Sequence, residues 1–426
     1  MAEQLQSHLK KNSLIDKNQS AYRSCHSTET ALLKVSNDIL EIVDKKDVCL
    51  LAMLDLSAAF DTIDHGILLS RLEHTFGISG AALSWFRSYL ENRFQAVKIG
   101  TLKSSWMPLK FGVPQGSVLG PVLFTMYMQP LSDVLNKFDM LYHSYADDTQ
   151  IYVGCKSDIF ETTVTNVENC LRDVKTWMTA NKLKINDTKT EIVFFGQSRV
   201  ISQLEEKTIN VNGHDISPCS TVKNLGVMMD NSLTMVPQVN ALTKSMYFQI
   251  RNIASVRNYL TKDVAKTLMT SLVLSKLDYC NSLLAGLPDN TLSKLQVAQN
   301  NAARVVERVR KRDSAKPLLY NLHWLPVKER ITYKIALLCF KCINRTAPHY
   351  LQDAVSLYCP NRPLRSSNDT TVLRLPRMHY KTLGERSFSF MGPKLWNALP
   401  RALRDCPDEG QFKRQLKHYL FKQAYY

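Results

Sequence analysis

The chain has 426 residues, of which 45% are hydrophobic and 22% charged, a balance typical of a globular protein of two or three domains. This composition excludes a largely disordered chain, and no apolar run is long enough to cross a membrane. The N-terminus lacks the apolar segment of a signal peptide, and ten scattered cysteines favour reduced thiols. We therefore expect an intracellular protein of the nucleus or cytoplasm, neither secreted nor membrane-bound.

The net charge of +16 lies entirely in the last third of the chain. Residues 1–290 hold 29 basic and 29 acidic side chains, whereas residues 291–426 hold 25 basic and 9 acidic ones. A basic region on a neutral body suggests a polyanionic partner, with nucleic acid ahead of a membrane surface. An ordinary basic surface is the alternative that charge alone leaves open.

The first elements lead to an acidic residue at the end of a strand. Residues 1–47 are mostly polar, with a helical apolar pattern and no core of their own. The apolar run Val48–Leu54 predicts a buried strand that ends at Asp55, a position where catalytic groups are commonly presented. Asp61 and Asp64 precede a helix, and we interpret both as caps or first-turn charges.

A glycine-bearing loop follows a predicted helix over 81–90 and a predicted strand over 95–99. Residues 112–121 read G-V-P-Q-G-S-V-L-G-P and open an apolar helix that is predicted over 121–135. Such a loop lets backbone N–H groups approach an anion or a nucleotide closely. By itself this signal is weak, because many loops before helices have similar sequences.

Two adjacent carboxylates, Asp147 and Asp148, lie between two strand-forming runs in S-Y-A-D-D-T-Q-I-Y. This pattern predicts a β-hairpin with the aspartates in its turn. Neighbouring like charges repel, and a bound cation would compensate them. For an isolated pair an ordinary acidic turn is the simpler interpretation.

The remaining pattern changes from mixed to helical. An amphipathic helix is predicted over 158–180, two short strands with a polar turn over 183–196, and a strand with a glycine over 223–229. From Val236 onward the chain is predicted to be nearly all helix, interrupted by prolines in its last hundred residues.

Asp55 and the aspartate pair combine if their two strands are neighbours in one sheet. Three carboxylates would then converge, a geometry that suits two divalent cations about 4 Å apart. Such a centre activates an attacking oxygen and stabilises a leaving one, as phosphoryl transfer requires.

At these residues the chain resembles reverse transcriptases of non-LTR, LINE-type retrotransposons, most closely the jockey and chicken-repeat groups. D-L-S-A-A-F-D at 55–61 is similar to polymerase motif A, the loop at 112–121 to motif B and Y-A-D-D at 145–148 to motif C. L-K-I-N-D-T-K-T resembles motif D, and K-N-L-G-V the primer-grip strand. The resemblance begins at Q-S-A-Y-R (19–23) and covers most of the chain.

The resemblance implies residue roles in an RNA-directed DNA polymerase that adds dNTPs to a primer 3′-OH. Asp55 and Asp147 would be the main ligands of two Mg²⁺ ions, with Mn²⁺ as an alternative metal, and Asp148 an accessory ligand. The further roles implied are a steric gate at Phe60, nucleotide and template contacts at Gln115 and Gly116, a proton donor to pyrophosphate at Lys189, and a primer grip at Leu225 and Gly226. A solvated turn lysine is the equal alternative for Lys189.

The resemblance also implies an α+β right-hand polymerase with an antiparallel palm sheet. We expect a fingers remnant over 1–47, the palm over 48–231, a helical thumb over 232–312 and a basic helical region over 313–426. The family's triphosphate-gripping finger strands and endonuclease precede the point where this chain starts, so we expect an N-terminally truncated copy.

Cys339, Cys342, His349 and Cys359 form the one competing metal pattern, C-x2-C-x6-H-x9-C. The first two cysteines fall inside an apolar helical run, so core cysteines are the simpler interpretation and a zinc site is the alternative.

The implied partners are an RNA template, a DNA primer or target, and dNTPs, with the basic third holding RNA or DNA through phosphate contacts. Two other functions stay open. One is a catalytically impaired, nucleic-acid-binding remnant of such an enzyme. The weaker one is a host-recruited or splicing-related palm, although those palms often lose the motif C acids that this chain keeps.

Overall fold

The structure is a computed structural model that describes residues 1–45, 48–186, 189–204, 206–211, 213–359 and 371–426. Asp187 and Thr188, in the predicted motif D turn, lie outside the described residues. The described helices are α1 Ala2–Lys11, α2 Thr28–Asp44, α3 His65–His74, α4 Gly80–Leu90, α5 Gly120–Met128, α6 Leu131–Asn136, α7 Phe160–Ala180, α8 Ser198–Ile201, α9 Val236–Val256, α10 Lys262–Met269, α11 Ser275–Asp278, α12 Asp289–Glu307, α13 Ala315–Asn321, α14 Val327–Ile343, α15 His349–Gln352, α16 Phe388–Asn397, α17 Arg401–Arg404 and α18 Glu409–Tyr425.

The strands are short except around the central sheet. They are β1 Val48–Leu54, β2 Leu56–Ser57, β3 Phe94–Gln95, β4 Lys98–Ile99, β5 Leu102–Lys103, β6 Met107–Pro108, β7 Leu141–Tyr145, β8 Asp148–Cys155, β9 Lys184–Ile185, β10 Glu191–Phe195, β11 Ile209–Val211, β12 His214–Ile216, β13 Thr221–Asn224 and β14 Val227–Asp230.

The chain divides into two compact units, each built from several segments. The first unit is Met1–His26, Cys49–Phe194 and Ser202–Cys219, and the second is Ser27–Val48, Phe195–Ile201 and Ser220–Tyr426. The expected division into fingers remnant, palm, thumb and C-terminal region stays a prediction.

A four-stranded sheet with the order β10-β1-β8-β7 is the centre of the first unit. Strand β1 is an interior strand and is buried along nearly all of its length, as its continuous apolar sequence predicts. The amphipathic helix α7 packs against α6 and β11 with the face that the apolar spacing predicts. The α+β class expected from the sequence is confirmed.

The apolar segment predicted as one helix over 121–135 is two helices, α5 and α6. The break falls at Gln129 and Pro130, because proline has no N–H to donate and its ring collides with the preceding turn. Helix α5 is buried along almost its whole length, so the glycine-bearing loop in front of it is attached to the interior of the unit.

Helices dominate the second unit, as the sequence predicts beyond Val236. Helix α9 packs against α12 and β14, and α14 packs against α16 and α18. The predicted apolar stripe of α9, formed by Leu242, Met246, Ile250 and Ile253, is buried. Helix α2 also belongs to this unit, where it packs against α15 and α16.

The segment predicted as one strand over 223–229 is a hairpin of β13 and β14, so that expectation is wrong. Asn224 pairs with Val227, which leaves Leu225 and Gly226 as a two-residue turn. Both have positive φ, 41° and 86°, as tight hairpin turns require.

None of the helices among the described residues is long and apolar enough to span a membrane.

Candidate active site

Asp55 lies directly after β1, at the end of a buried strand, where the sequence predicts it. Its backbone carbonyl accepts a hydrogen bond from the N–H of Asn186 (2.9 Å). The next residues, Leu56 and Ser57, pair with Ile185 and Lys184 in an antiparallel ladder. These contacts hold the backbone on one side of Asp55 while the side chain stays 34% exposed.

The aspartate pair lies on the β7–β8 hairpin, but the turn is displaced by one residue from the predicted one. Tyr145 pairs with Asp148, so Ala146 and Asp147 form the turn and Asp148 begins β8. Ala146 has a φ of 60°, a left-handed conformation that costs free energy for a residue with a Cβ. The neighbouring structure must therefore hold this turn in place.

The three carboxylates are electrostatically coupled, because β1 and β8 are neighbours in the sheet. Burial, followed by the charges of Asp147 and Asp55, raises the pKa of Asp148 to about 6. Burial also raises the pKa of Asp147, with a further contribution from Asp55 and an opposing one from a backbone hydrogen bond. The site thus concentrates negative charge that the surrounding protein compensates only in part.

Lys189 supplies one compensating charge. Its Nζ lies 3.3 Å from Oδ2 of Asp55, and its backbone N–H bonds the carbonyl of Asn186 (3.0 Å), the residue whose own N–H binds Asp55. The Lys189 side chain is 65% exposed, so the ion pair adds little to folding stability. Lys189 lies beside Asp55, while its role as a proton donor stays a prediction.

Asp55, Asp147 and Asp148, which we call the acidic set, have side chains that are chemically suited to divalent cations. Carboxylate oxygens are the ligands that Mg²⁺ prefers, and a cation would relieve the repulsion that raises the two aspartate pKa values. Within the described residues, no three His, Cys, Asp or Glu side chains already have the mutual arrangement of a metal site. A cation site at these three aspartates stays a prediction.

Gln19, which belongs to the Q-S-A-Y-R segment, holds the strained turn from the side. Its Oε1 accepts hydrogen bonds from the backbone N–H groups of Ala146 (3.0 Å) and Ala21 (2.9 Å), and its Nε2 donates to the Ala146 carbonyl (3.3 Å). The side chain is only 5% exposed. A carboxamide is suited to this position because one group supplies both an acceptor and a donor.

Further bonds join the same segment to β7. Ser20 donates its backbone N–H to the carbonyl of Ser144 (3.0 Å), and its Oγ lies 2.8 Å from Nε2 of the buried His143. Tyr22 follows in the chain, and Asp147 contributes to raising the pKa of its phenol, after burial. The sequence analysis assigned no site role to Gln19, Ser20 or Tyr22. It identified their segment only through the resemblance to the family.

The glycine-bearing loop is attached to the segment that follows Asp55. Gly112 donates its N–H to the Ile63 carbonyl (2.8 Å), and a Cβ at Gly112 would lie 3.0 Å from the backbone of Asp61. Its φ of 84° also favours glycine. The prediction that Asp61 is a cap or first-turn charge is wrong, because α3 begins at His65 and Asp64 is its N-cap. Oδ1 of Asp61 instead accepts a hydrogen bond from Nε2 of Gln115 (2.8 Å).

The other predicted loop and helix residues are placed as follows. Asp64 is the N-cap of α3, as predicted, accepting from the N–H of Ile67 (3.0 Å). Gln115 and Gly116 are exposed on the loop. The ring of Phe60 stacks on Phe124 of α5 at a centroid distance of 4.4 Å, which fixes the orientation of the half-buried ring.

Leu225 and Gly226 lie in the second unit, at the β13–β14 turn. The hydroxyl of Tyr279 donates to the Leu225 carbonyl (2.7 Å), and a Cβ at Gly226 would lie 3.6 Å from the same tyrosine. The turn is therefore fixed by Tyr279, while its role as a primer grip stays a prediction.

Cys339 and Cys342 are buried in α14, in keeping with core cysteines. Burial raises the pKa of Cys342 to about 12 and that of Cys339 well above its ordinary value, which opposes the thiolate form that zinc binds. Cys359 is exposed, and the four zinc candidates do not form a metal-binding group among the described residues.

The structure combines a sheet whose neighbouring strands couple three carboxylates with a glycine-bearing loop attached to the segment after Asp55. This combination in an α+β fold is characteristic of polymerases. The chain belongs to the reverse transcriptase (RNA-dependent DNA polymerase) family, whose sequence profile matches residues 1–229. The predicted resemblance to non-LTR retrotransposon enzymes is confirmed. The RNA-directed DNA polymerase of the Drosophila melanogaster mobile element jockey is 27% identical over 299 residues, covering 68% of this chain and 32% of that protein.

Other relatives show similar coverage. The probable RNA-directed DNA polymerase of the Drosophila melanogaster transposon BS is 26% identical over 304 residues, covering 69% of this chain and 33% of that protein. The chain thus spans about a third of the length of these curated relatives.

Among solved structures, that of apo telomerase from Candida tropicalis is similar to this chain with a TM-score of 0.41 and 12% sequence identity. The match covers 81% of this chain and 57% of that chain.

Replacing Gln19 by leucine should loosen the turn that carries Asp147. Leucine leaves the buried N–H and carbonyl of Ala146 unpaired, which should lower the free energy of unfolding by about 1–3 kcal/mol. Urea unfolding measures that loss, and hydrogen exchange at the Ala146 amide should accelerate.

The matched control is Gln115→Leu, at an exposed glutamine, which should change stability by less than about 0.5 kcal/mol. Equal stabilities for Gln19→Leu and the native chain would show that Gln19 does not hold the turn.

Proposed function

We propose that this chain catalyses RNA-templated DNA synthesis, adding dNTPs to the 3′-OH of a primer through a centre that uses two Mg²⁺ ions. The observation that supports it most is the coupling of Asp55 to Asp147 and Asp148 across neighbouring strands. Divalent cations held there supply activation of the attacking oxygen and stabilisation of the leaving one. Mn²⁺ is the alternative metal, because it also accepts oxygen ligands.

Asp55 and Asp147 are the main metal ligands in this proposal, and Asp148 is the accessory one. Asp55 is held by backbone bonds to Asn186, and Asp147 by the turn that Gln19 holds. The two main ligands are thus carried on fixed backbone. Fixed backbone limits the entropy that is lost when the reacting groups are aligned.

We assign nucleotide selection to the glycine-bearing loop at 112–121 and to the segment after Asp55. Gln115, held by Asp61 and exposed beside Gly116, is available to contact the incoming nucleotide and the template base. Phe60 is supported from behind by Phe124, so its ring can act as a rigid wall against a ribose 2′-OH. A wall of this kind favours dNTPs over ribonucleotides.

The basic last third is assigned to phosphate contacts with template RNA or target DNA. Trp324, Phe340, Tyr350 and Trp396, which alternate with basic residues in the sequence, are buried in the core. These four rings cannot stack on bases. The Arg and Lys charges of the region would hold the phosphates, which makes binding salt-dependent. Leu225 and Gly226 are assigned to the primer end.

Asp147→Ala should abolish primer extension on an RNA template in the presence of Mg²⁺ and dNTPs. Removing one main ligand should lower kcat by at least about 100-fold, the scale of losing an electrostatic contact in the transition state. Gel-resolved extension assays on the purified chain measure it.

Asp64→Asn is the control, because asparagine keeps the N-cap of α3 and Asp64 lies outside the acidic set. Equal extension by Asp147→Ala and the native chain would contradict the mechanism. A native chain that binds the template and extends nothing would favour the non-catalytic remnant.

Lys189→Gln tests the proposal that this ammonium donates a proton to the leaving pyrophosphate. Loss of a general acid should lower kcat by roughly 100- to 10,000-fold, with little change in the KM for dNTP. Single-nucleotide incorporation kinetics separate the two parameters.

Lys189→Arg discriminates the two interpretations of this lysine, because arginine keeps the charge but does not release its proton. Rescue by arginine would mean that only the charge beside Asp55 matters. An unchanged kcat in Lys189→Gln would assign Lys189 to a solvated turn.

A further inference from the structure

A two-stranded ribbon projects from the first unit between α4 and the glycine-bearing loop; we call residues 93–111 the arm. Strand β3 pairs with β6 through Phe94↔Pro108, and β4 pairs with β5 through Ile99↔Leu102. Every residue of these four strands is exposed. The arm therefore holds its shape by backbone pairing and turns, without burying its side chains.

The exposed side chains of the arm are large and apolar. Ile99 is 76% exposed, Leu102 77% and Trp106 60%, and Phe94, Val97, Met107 and Phe111 are also exposed. Several large apolar side chains exposed on one short ribbon are a common feature of interaction sites.

The charge of the arm is positive throughout. Arg93, Lys98, Lys103 and Lys110 are its basic residues, and the sequence has no Asp or Glu between Glu91 and Asp133. A second copy of the arm would bring like charges together, which disfavours self-association through this face. A polyanion has the complementary charge.

Aromatic rings and cations are paired on this surface. The ammonium of Lys103 lies 3.7 Å from the centroid of the Trp106 ring. At the base of the arm, Trp85 and Tyr89 of α4 stack with a centroid distance of 5.5 Å, and Arg93 lies over Tyr89. Rings that stack on bases beside cations that meet phosphates are the usual construction of a single-strand nucleic-acid surface.

The arm continues directly into the glycine-bearing loop at 112–121. Phe111 forms an antiparallel bridge with Asp64, and the next residue, Gly112, bonds Ile63. Gln115 follows three residues later and is hydrogen-bonded to Asp61. A strand lying along the arm would thus be guided towards Gln115.

We propose that the arm binds single-stranded nucleic acid, namely the template strand on its approach to the loop at Gln115. This inference rests on the proposed function for the identity of the strand. Three observations support the proposal: the exposed rings, the absence of Asp and Glu from the arm, and the direct connection of the arm to the glycine-bearing loop. Double-stranded nucleic acid is a poorer occupant, because its bases are already stacked on one another.

Fluorescence anisotropy of the full chain with a labelled single-stranded RNA of about 12 nucleotides, a length typical of single-strand sites, tests the arm. EDTA is present and dNTPs are omitted, so binding is measured without catalysis. Trp106→Ala should weaken binding by roughly 5- to 150-fold, the loss expected for one stacked base. Lys98→Gln with Lys103→Gln should reduce the dependence of log K on log salt by about 1.4.

Tyr259→Ala is the matched control, because this aromatic residue is 90% exposed in the second unit, and its affinity for the RNA should equal that of the native chain. Unchanged RNA affinity in both arm variants would overturn the proposal. A native dimer in sedimentation that Trp106→Ala converts to monomer, with RNA affinity unchanged, would also overturn it and assign the arm to a second copy. Because this assay needs neither metal nor nucleotide, failure of the proposed polymerase activity would leave its result interpretable.

Discussion

The side-by-side position of β1 and β8 is the constraint on which the rest of the site depends. It brings Asp55, which directly follows β1, towards Asp148, the first residue of β8, and Asp147 in the turn before it. Grouping like charges in a partly buried position costs folding free energy, as the pKa of about 6 for Asp148 shows. A bound cation would offset this cost, which is why we propose a cation site here.

The surrounding contacts act mainly on the backbone that carries the acidic residues. Gln19 secures the left-handed turn at Ala146, and Asn186 bonds the backbone of Asp55. Lys189 places an exposed positive charge 3.3 Å from Oδ2 of Asp55. Fixed backbone of this kind is what a preorganised site requires.

Local sequence patterns predicted much of this fold, because periodicity and apolar runs report directly on burial. The strand before Asp55, the hairpin at the aspartate pair and the buried face of α9 follow from such patterns. Bonds between distant segments carry no local signal, so Gln19, 127 residues from Ala146, was not predicted. Backbone details were missed for a related reason: the turn at Leu225–Gly226 and the break at Pro130 depend on positive φ values and a missing N–H within otherwise regular patterns.

Mg²⁺-dependent stability measures the central claim, that the three aspartates form a cation site, without requiring catalysis. Urea unfolding with and without Mg²⁺ should show stabilisation of the native chain, by about 2.7 kcal/mol when Mg²⁺ is a hundredfold above its dissociation constant. Asp147→Asn should lose most of that gain, whereas Asp133→Asn, at an exposed carboxylate on α6, should keep it. Equal stabilisation of the native chain and Asp147→Asn by Mg²⁺, or no stabilisation of either, would contradict the account.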